Sequence, residues 1–259
     1  MNAYEKVRAA RAKGRPTSID YISKIFTKFV ELHGDRRFGD DGAVVAGIAK
    51  LEEISVTVIG IEKGKVTKEK VFRNFGSAHP EGYRKALRQM KLAEKFGRPV
   101  ICFIDTPGAY CGIGAEERGQ GPAVAENLME MMALKVPAVS LFIGEGGSGG
   151  ALALAVSDEV WMLENAVYSV ISPEGCASIL WKDPSKMKEA SESLKLTAED
   201  LYSFGVIENI ISESGGFDSI CARIKEQLVK TIRKNKELSE EELLKNRYCK
   251  FRKMGGEFL

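Results

Sequence analysis

Gly144-Glu145-Gly146-Gly147-Ser148-Gly149-Gly150-Ala151-Leu152-Ala153-Leu154 reads as a strand-to-helix turn. It follows the apolar run Val136 to Ile143, which predicts a buried strand, and enters an Ala/Leu-rich segment that predicts a helix. Five glycines between positions 144 and 150 leave backbone N–H groups uncovered at the positive end of that helix. The pattern predicts a site for an electron-rich group.

Upstream, Pro99–Ile104 reads as a short apolar strand, and it too ends in a glycine-bearing turn, Asp105-Thr106-Pro107-Gly108-Ala109-Tyr110. A polar loop continues to Gln120-Gly121, and Pro122 opens a helix. Pro80 opens another, reaching Phe96. Val44–Leu51 and Ile54–Ile61 predict two strands joined at Glu52-Glu53, followed by a basic loop from Lys63 to Arg73. The spacing of Ile19, Ile22, Phe26, Phe29 and Val30 predicts one helix over 18–32. Downstream, Glu159–Leu163 and Val167–Val170 read as strands. After Pro173 the pattern is mainly helical, with a long amphipathic helix from Asp218 to Arg233 and a charged stretch from Lys234 to Leu259 expected to pack peripherally. The alternation predicts an α/β fold, and the paired strands argue against a purely parallel sheet.

The 259 residues are 44% hydrophobic and 29% charged, enough for a sizeable core. A net charge of +2 sets aside nucleic-acid or membrane binding driven by charge. No apolar run is long enough to span a bilayer, and Met1 to Lys13 carries no secretory signal. Cys102, Cys111, Cys176, Cys221 and Cys249 are scattered with no C-x-x-C pair. They are expected to be free thiols in a reducing cytosol, and no metal site is expected in this chain.

The glycine loop admits three readings. Gly144, Gly146 and Gly149 spell G-x-G-x-x-G with Glu164 20 residues on, a dinucleotide fingerprint, yet the unit lies in mid-chain rather than at a first strand. Gly146-Gly147-Ser148-Gly149-Gly150 also spells G-x-S-x-G, the nucleophile elbow. The only histidines, His33 and His79, both precede Ser148, which excludes the hydrolase order. A His79–Asp105–Ser148 triad remains conceivable, but a small residue in a tight turn is the preferred reading of Ser148. The third reading is an oxyanion hole, with the 107–109 and 146–150 turns aiming N–H groups at one developing negative charge.

Several stretches together carry a resemblance: Phe29-Val30-Glu31-Leu32-His33-Gly34-Asp35-Arg36, Arg73-Asn74-Phe75-Gly76, His79-Pro80-Glu81-Gly82-Tyr83-Arg84-Lys85-Ala86, Phe103 to Tyr110, Gly114-Ala115-Glu116-Glu117-Arg118-Gly119-Gln120, Gly144 to Ala153 and Tyr168 to Ala177. The chain resembles the alpha subunits of bacterial acetyl-CoA carboxylase carboxyltransferase from about Tyr4 to Lys250. The resemblance implies a crotonase-like fold of stacked β-β-α units over residues 1–236, N-terminal helix included, with a charged tail over 237–259. It implies transfer of the carboxyl group from carboxybiotin, held on a biotin carboxyl carrier protein, to acetyl-CoA, giving malonyl-CoA for fatty acid biosynthesis in the cytoplasm. In this family a beta subunit binds acetyl-CoA and carries a zinc ribbon, the assembly is an α2β2 heterotetramer, and a biotin carboxylase supplies the ATP-using step. No nucleic-acid or membrane partner is expected.

Negative charge developing on the ureido oxygen suits a glycine-rich, histidine-poor site. The expected donors are the backbones of Gly146, Gly147, Gly149 and Gly150, with Gly108, Ala109, Tyr110 and Ser148 lining the substrate side. The competing reading is a stand-alone crotonase-type acyl-CoA hydratase or isomerase, which needs carboxylate acid/base residues in its pocket. The chain contains no Ala-Met-Lys-Met biotinylation sequence and no zinc-ribbon motif. It departs from the family pattern at Cys111, where proline is usual, at Gly121-Pro122, and in lacking an N-terminal extension. The basic run Lys63, Lys65, Lys68, Lys70 and Arg73 reads either as a solvated loop or as a surface that attracts CoA phosphates or the carrier.

Overall fold

Eight strands form one mixed sheet, around which the helices pack. The structure, a computed structural model, describes residues 1–256. The last residues of the predicted tail, 257–259, lie outside the described residues. In chain order the elements are α1 (Ala3–Ala10), α2 (Ser18–Ile25), β1 (Thr27–Glu31), β2 (Val44–Leu51), β3 (Ile54–Ile61), α3 (Thr67–Phe72), α4 (Pro80–Lys95), β4 (Val100–Thr106), α5 (Ile113–Glu117), α6 (Gln120–Met132), β5 (Ala138–Gly147) and α7 (Ser148–Leu152). Then come β6 (Glu159–Leu163), β7 (Val167–Ser169), α8 (Pro173–Trp181), α9 (Met187–Ser193), α10 (Ala198–Ser203), β8 (Asn209–Ile211), α11 (Gly216–Lys236) and α12 (Glu240–Lys253). The sheet order is β1-β2-β3-β4-β5-β6-β8, with β7 pairing the far end of β5.

The β2–β3 hairpin turns at Glu52, which adopts φ +52°. From β3 onward the neighbours in the sheet are parallel. Every residue of β4 is buried, as expected of a strand covered on both faces. Its apolar run therefore shows no alternation. Tyr21 of α2 stacks on Phe103 of β4 with ring centroids 5.9 Å apart, and α4 packs across β2 and β3.

The single helix expected over 18–32 is corrected. Thr17 and Asp20 close a capping box at its start, but the helix ends at Ile25 and Phe26 is already extended. Lys28 turns left-handed at φ +52°, and Thr27–Glu31 then pairs antiparallel with β2. The apolar spacing is helical, but strand pairing with β2 wins over it. The basic loop likewise contains the short helix α3, and α6 starts two residues before Pro122.

The charged C-terminal stretch is ordered as α12. One residue anchors it: Arg247, whose side chain is fully buried, pairs with Asp158 through Nε and Nη2 at 2.8 and 2.9 Å. The same guanidinium donates to the carbonyls of Met131 and Leu134. No helix among the described residues is long and apolar enough to cross a membrane.

Candidate functional site

The two glycine-bearing turns leave the carboxyl ends of adjacent parallel strands, β4 and β5. That is where open α/β sheets present ligand sites. A cleft of about 550 Å³ opens between them, floored by Gly108, Ala109, Gly149 and Gly150 and walled by Val124, Leu128 and Ile171.

The glycines divide by what a side chain would meet. A Cβ at Gly147 would fall 2.1 Å from the Pro107 carbonyl oxygen, and one at Gly150 would fall 2.4 Å from the Ala109 amide nitrogen. A Cβ at Gly146 would fall 2.3 Å from the Phe142 ring. These three positions need glycine because the two turns and the stacked Phe142–Tyr168 pair press together there. Gly149 differs: its Cβ would meet only Val124, at 3.6 Å, and would point into the cleft. Nothing in the packing explains a glycine at 149.

The amides divide as well. Gly146 and Gly147 lie within β5, opposite Thr106 of β4 and Tyr168 and Ser169 of β7. Gly149 and Gly150 lie in the first turn of α7, where N–H groups have no intrahelical acceptor. On the facing turn Gly108 sits at φ +144°, a conformation that favours glycine. Its N–H donates to the Thr106 hydroxyl at 3.0 Å, and the next amide nitrogen, that of Ala109, packs against Gly150 of α7. Tyr110 turns outward, its N–H held by the Ala78 carbonyl at 3.0 Å and its ring stacked on His79 at 4.1 Å.

Ser148 is exposed and strained, at φ +52°. A nucleophile elbow has this backbone shape, but neither histidine serves it as a base. His79 Nδ1 pairs with Asn74 Nδ2 at 3.0 Å and its ring covers Tyr110. His33 pairs with Asp40 at 2.9 Å. Asp105, the third member of the conceivable triad, is buried against Lys63 at 2.7 Å and accepts the Glu145 N–H at 2.8 Å. Glu164, the acid of the dinucleotide reading, accepts the Glu213 N–H at 3.1 Å.

On the far side of the two turns lies a charged layer built on Lys63, which the sequence placed in a basic loop, either solvated or attracting CoA phosphates or the carrier, and on Asp105, read there as an acceptor of loop N–H bonds. Lys63 is largely buried and bridges Asp105 and Glu145, at 2.7 and 2.8 Å. Arg11, at the end of α1, reaches Glu145 at 2.6 Å and Glu174 of α8 at 2.6 Å. Burial works against the Lys63 ammonium, but attraction to the two carboxylates outweighs it and holds the group above the usual lysine range. Burial also works to raise Glu145, yet Lys63 and Arg11 hold it below the usual carboxylate range. Burial pushes the Tyr168 hydroxyl up to about 12. The rest of the basic run divides: Lys65 pairs with Asp20 and Arg73 donates to the Gly42 carbonyl, while Lys68 is exposed. Arg118 of the polar loop pairs with Glu81 at 2.6 Å. A strand-end lysine after Ile59-Gly60-Ile61-Glu62 was the one sequence signal for this layer, and it was hidden among its basic neighbours.

Among the described residues no group of three or more His, Cys, Asp or Glu is arranged to hold a metal ion.

Comparison with known proteins gives the site its context. The family model described as acetyl co-enzyme A carboxylase carboxyltransferase-like matches residues 1–255. The acetyl-coenzyme A carboxylase carboxyl transferase subunit alpha of Ruminiclostridium cellulolyticum is 67% identical over 256 residues, 98% of each chain. That of Streptococcus uberis is 60% identical over 247 residues, 95% of this chain and 96% of its own. Among solved structures, the transcarboxylase 12S core with methylmalonyl-coenzyme A bound superposes with a TM-score of 0.70 at 18% identity, over 86% of this chain and 42% of that one. A Pseudomonas malonate decarboxylase hetero-tetramer in complex with coenzyme A gives 0.66 at 15% identity, over 82% and 86%. At such identities the likeness is one of fold, and the expected crotonase-like architecture is borne out. The match along nearly the whole chain places this protein in the acetyl-CoA carboxylase carboxyltransferase alpha-subunit family.

Proposed function

We propose that the chain forms the carboxybiotin side of a carboxyltransferase site shared with a beta subunit. The observation that carries the reading is Gly149, whose missing side chain is explained by access to the cleft and by nothing in the packing. The amides of Gly149 and Gly150 on one turn and Ala109 on the other are the donors. Gly147 and Gly150 let the two turns approach, and Gly146 makes room for the Phe142–Tyr168 pair. The cleft fits the group: its amides match a ureido oxygen, and Val124, Leu128 and Ile171 offer apolar wall to a thioether ring.

Carboxybiotin, when bound, supplies the carboxyl group and leaves negative charge on its ureido oxygen. Three N–H groups fixed by strand ends and a helix turn stabilise that charge without reorganising and without a titrating side chain, and each such donor is typically worth about 3–4 kcal/mol. Of the carboxylates near the turns, Glu145 is taken up by Lys63 and Arg11, and Glu116 at the edge of the cleft is the one that a stand-alone hydratase could use. Val170, 77% exposed, rims the cleft, and α5, whose Glu116 also lines it, carries Ile113 at 81% exposed. That rim suits a partner that excludes water and brings the acceptor. The α2β2 assembly, the carrier protein, a biotin carboxylase and a zinc ribbon on the beta subunit complete this reading, as does a cytoplasmic setting. The carboxyltransferase domain of this reading includes α12, which Arg247 ties to Asp158.

The test is co-purification with a candidate beta subunit, followed by malonyl-CoA decarboxylation onto free biocytin. The complex turns over and neither subunit does so alone. Hydration or isomerisation of an acyl-CoA by this chain alone overturns the reading, as does an assembled but inactive complex.

A further inference from the structure

The layer beneath the cleft has a feature that the donors alone do not explain. Asp105 lies four residues before Ala109, and Glu145 lies four before Gly149. Each carboxylate therefore marks the root of one donor turn. One largely buried ammonium, that of Lys63, sits on both, at 2.7 Å from Asp105 Oδ1 and 2.8 Å from Glu145 Oε2. The Glu145 N–H adds a third link, donating to Asp105 Oδ1 at 2.8 Å.

The surroundings are shaped to admit this bridge. A Cβ at Gly144 would fall 2.3 Å from Asp105 Oδ1. Gly76, at φ +81°, lies where a Cβ would fall 2.7 Å from Lys63 Cγ and 3.0 Å from the Asp105 carbonyl oxygen. Arg11 carries the tie onward from Glu145 to Glu174, in the first turn of α8 just beyond the Ile171–Ser172 wall of the cleft.

We infer that Lys63 is a positioning residue for carboxyl transfer, its ammonium setting the separation of the two donor turns by holding Asp105 and Glu145 together. Arg11 extends the same restraint to the third wall. Lys63 is absent from the lining of the donor cleft and borders, with Arg11, Asp105 and Glu145, a separate cavity of about 650 Å³ on the other side of the turns, so it acts on the cleft through the amides of Ala109, Gly149 and Gly150. This inference rests on the reading of those amides as donors. Donor geometry is demanding, since misplacement by about 1 Å can cost about 100-fold in rate. Breaking the bridge therefore lowers turnover and spares acceptor affinity, because acetyl-CoA is held by the partner.

The experiment uses the full chain assembled with its beta subunit. Lys63→Met alone would leave two buried carboxylates facing each other, so it is combined with Glu145→Gln to balance the charge. Glu145→Gln alone is the second variant: it keeps the Lys63–Asp105 pair and loosens only the glycine-strand side. In the biocytin assay kcat falls at least about tenfold in the double variant and about threefold or more in Glu145→Gln, with the KM for malonyl-CoA within about twofold in both. Lys63→Arg, which retains a two-carboxylate bridge, recovers part of the lost kcat. Either assembled variant with wild-type kcat overturns the inference, as does a lowered melting temperature with kcat unchanged. A wild-type complex that transfers nothing to biocytin refutes the donor reading instead. If the double variant fails to assemble, Glu145→Gln decides by the same criteria.

Discussion

Replacing Gly149 with alanine should raise stability and lower activity together, a combination that packing alone does not produce. The added Cβ meets only Val124 at 3.6 Å, an ordinary van der Waals distance, and Gly149 is not in a left-handed conformation. Alanine in a helix turn is favoured over glycine by about 0.5–1 kcal/mol, partly through the unfolded chain. For a domain of this size that corresponds to a melting temperature higher by roughly 1–4 °C. The same methyl group stands in the cleft between the donor turns. Displacing the ureido oxygen by about 1 Å, or losing one donor, lowers kcat by about 100-fold, close to 2.7 kcal/mol of transition-state stabilisation.

Gly150→Ala is the control with the opposite sign in stability. Its Cβ would fall 2.4 Å from the Ala109 nitrogen and 2.8 Å from the Tyr83 hydroxyl. Overpacking of this kind costs about 1–3 kcal/mol and lowers the melting temperature by roughly 2–12 °C. Calorimetry on the purified chain and biocytin carboxylation by the complex measure the two axes separately. A Gly149→Ala protein that is stabilised and retains kcat within about threefold of wild type would refute the donor assignment, as would one that is destabilised.

Ser148→Gly removes both the hydroxyl and the left-handed strain at φ +52°; carboxyl transfer stays within about threefold of wild type, and a loss beyond about 100-fold in the same assay would restore the nucleophile reading. Arg247→Met strands Asp158 and several carbonyls in a buried site; thermal unfolding should report a loss of about 3–5 kcal/mol, and a fall in melting temperature under about 3 °C would show that α12 holds on by other contacts. Asp35 provides a pH signature. Burial works to raise its carboxyl, but the N–H groups of Arg37, Phe38 and Gly39 and the Arg84 guanidinium outweigh it and hold the carboxyl at about 2. A depressed carboxyl stabilises the fold above its unfolded value near 3.9 and loses that contribution as pH falls through the folded value. The stability gap between wild type and Asp35→Asn should therefore be about 2 kcal/mol at pH 7 and close between about pH 4 and pH 2; a gap that persists at pH 2 in denaturant titrations contradicts it.

The parts of the fold that depend on local pattern were legible in the sequence. The β2–β3 hairpin, β6 and the helix opened by Pro80 matched almost residue for residue, because an apolar run bounded by turn residues determines each of them. What failed depended on distant partners. Thr27–Glu31 became a strand because β2 offered an edge, not because of its own spacing. Asn209–Ile211 is three residues long and acquires its strand character from β6. At the site, the glycine turns were plain, but their division of labour was not. Only coordinates separate Gly147 and Gly150, which let backbones touch, from Gly149, which leaves room for a ligand. Lys63 was miscast for the same reason: a lysine in a basic run looks solvated until two carboxylates from other strands are brought to it.

Arg247 also has a consequence for the order in which the molecule is made. It follows Asp158 by 89 residues, so a ribosome delivers the acid long before its counter-ion. Until α12 emerges, the nascent chain holds an unneutralised carboxylate and several uncovered carbonyls at the edge of its core. The sheet is therefore expected to remain loosely closed through most of translation, within reach of chaperones, and to lock only when that arginine arrives. A chain terminated before Arg247 would carry the same defect permanently, giving quality-control proteases a ready means of recognising an unfinished subunit.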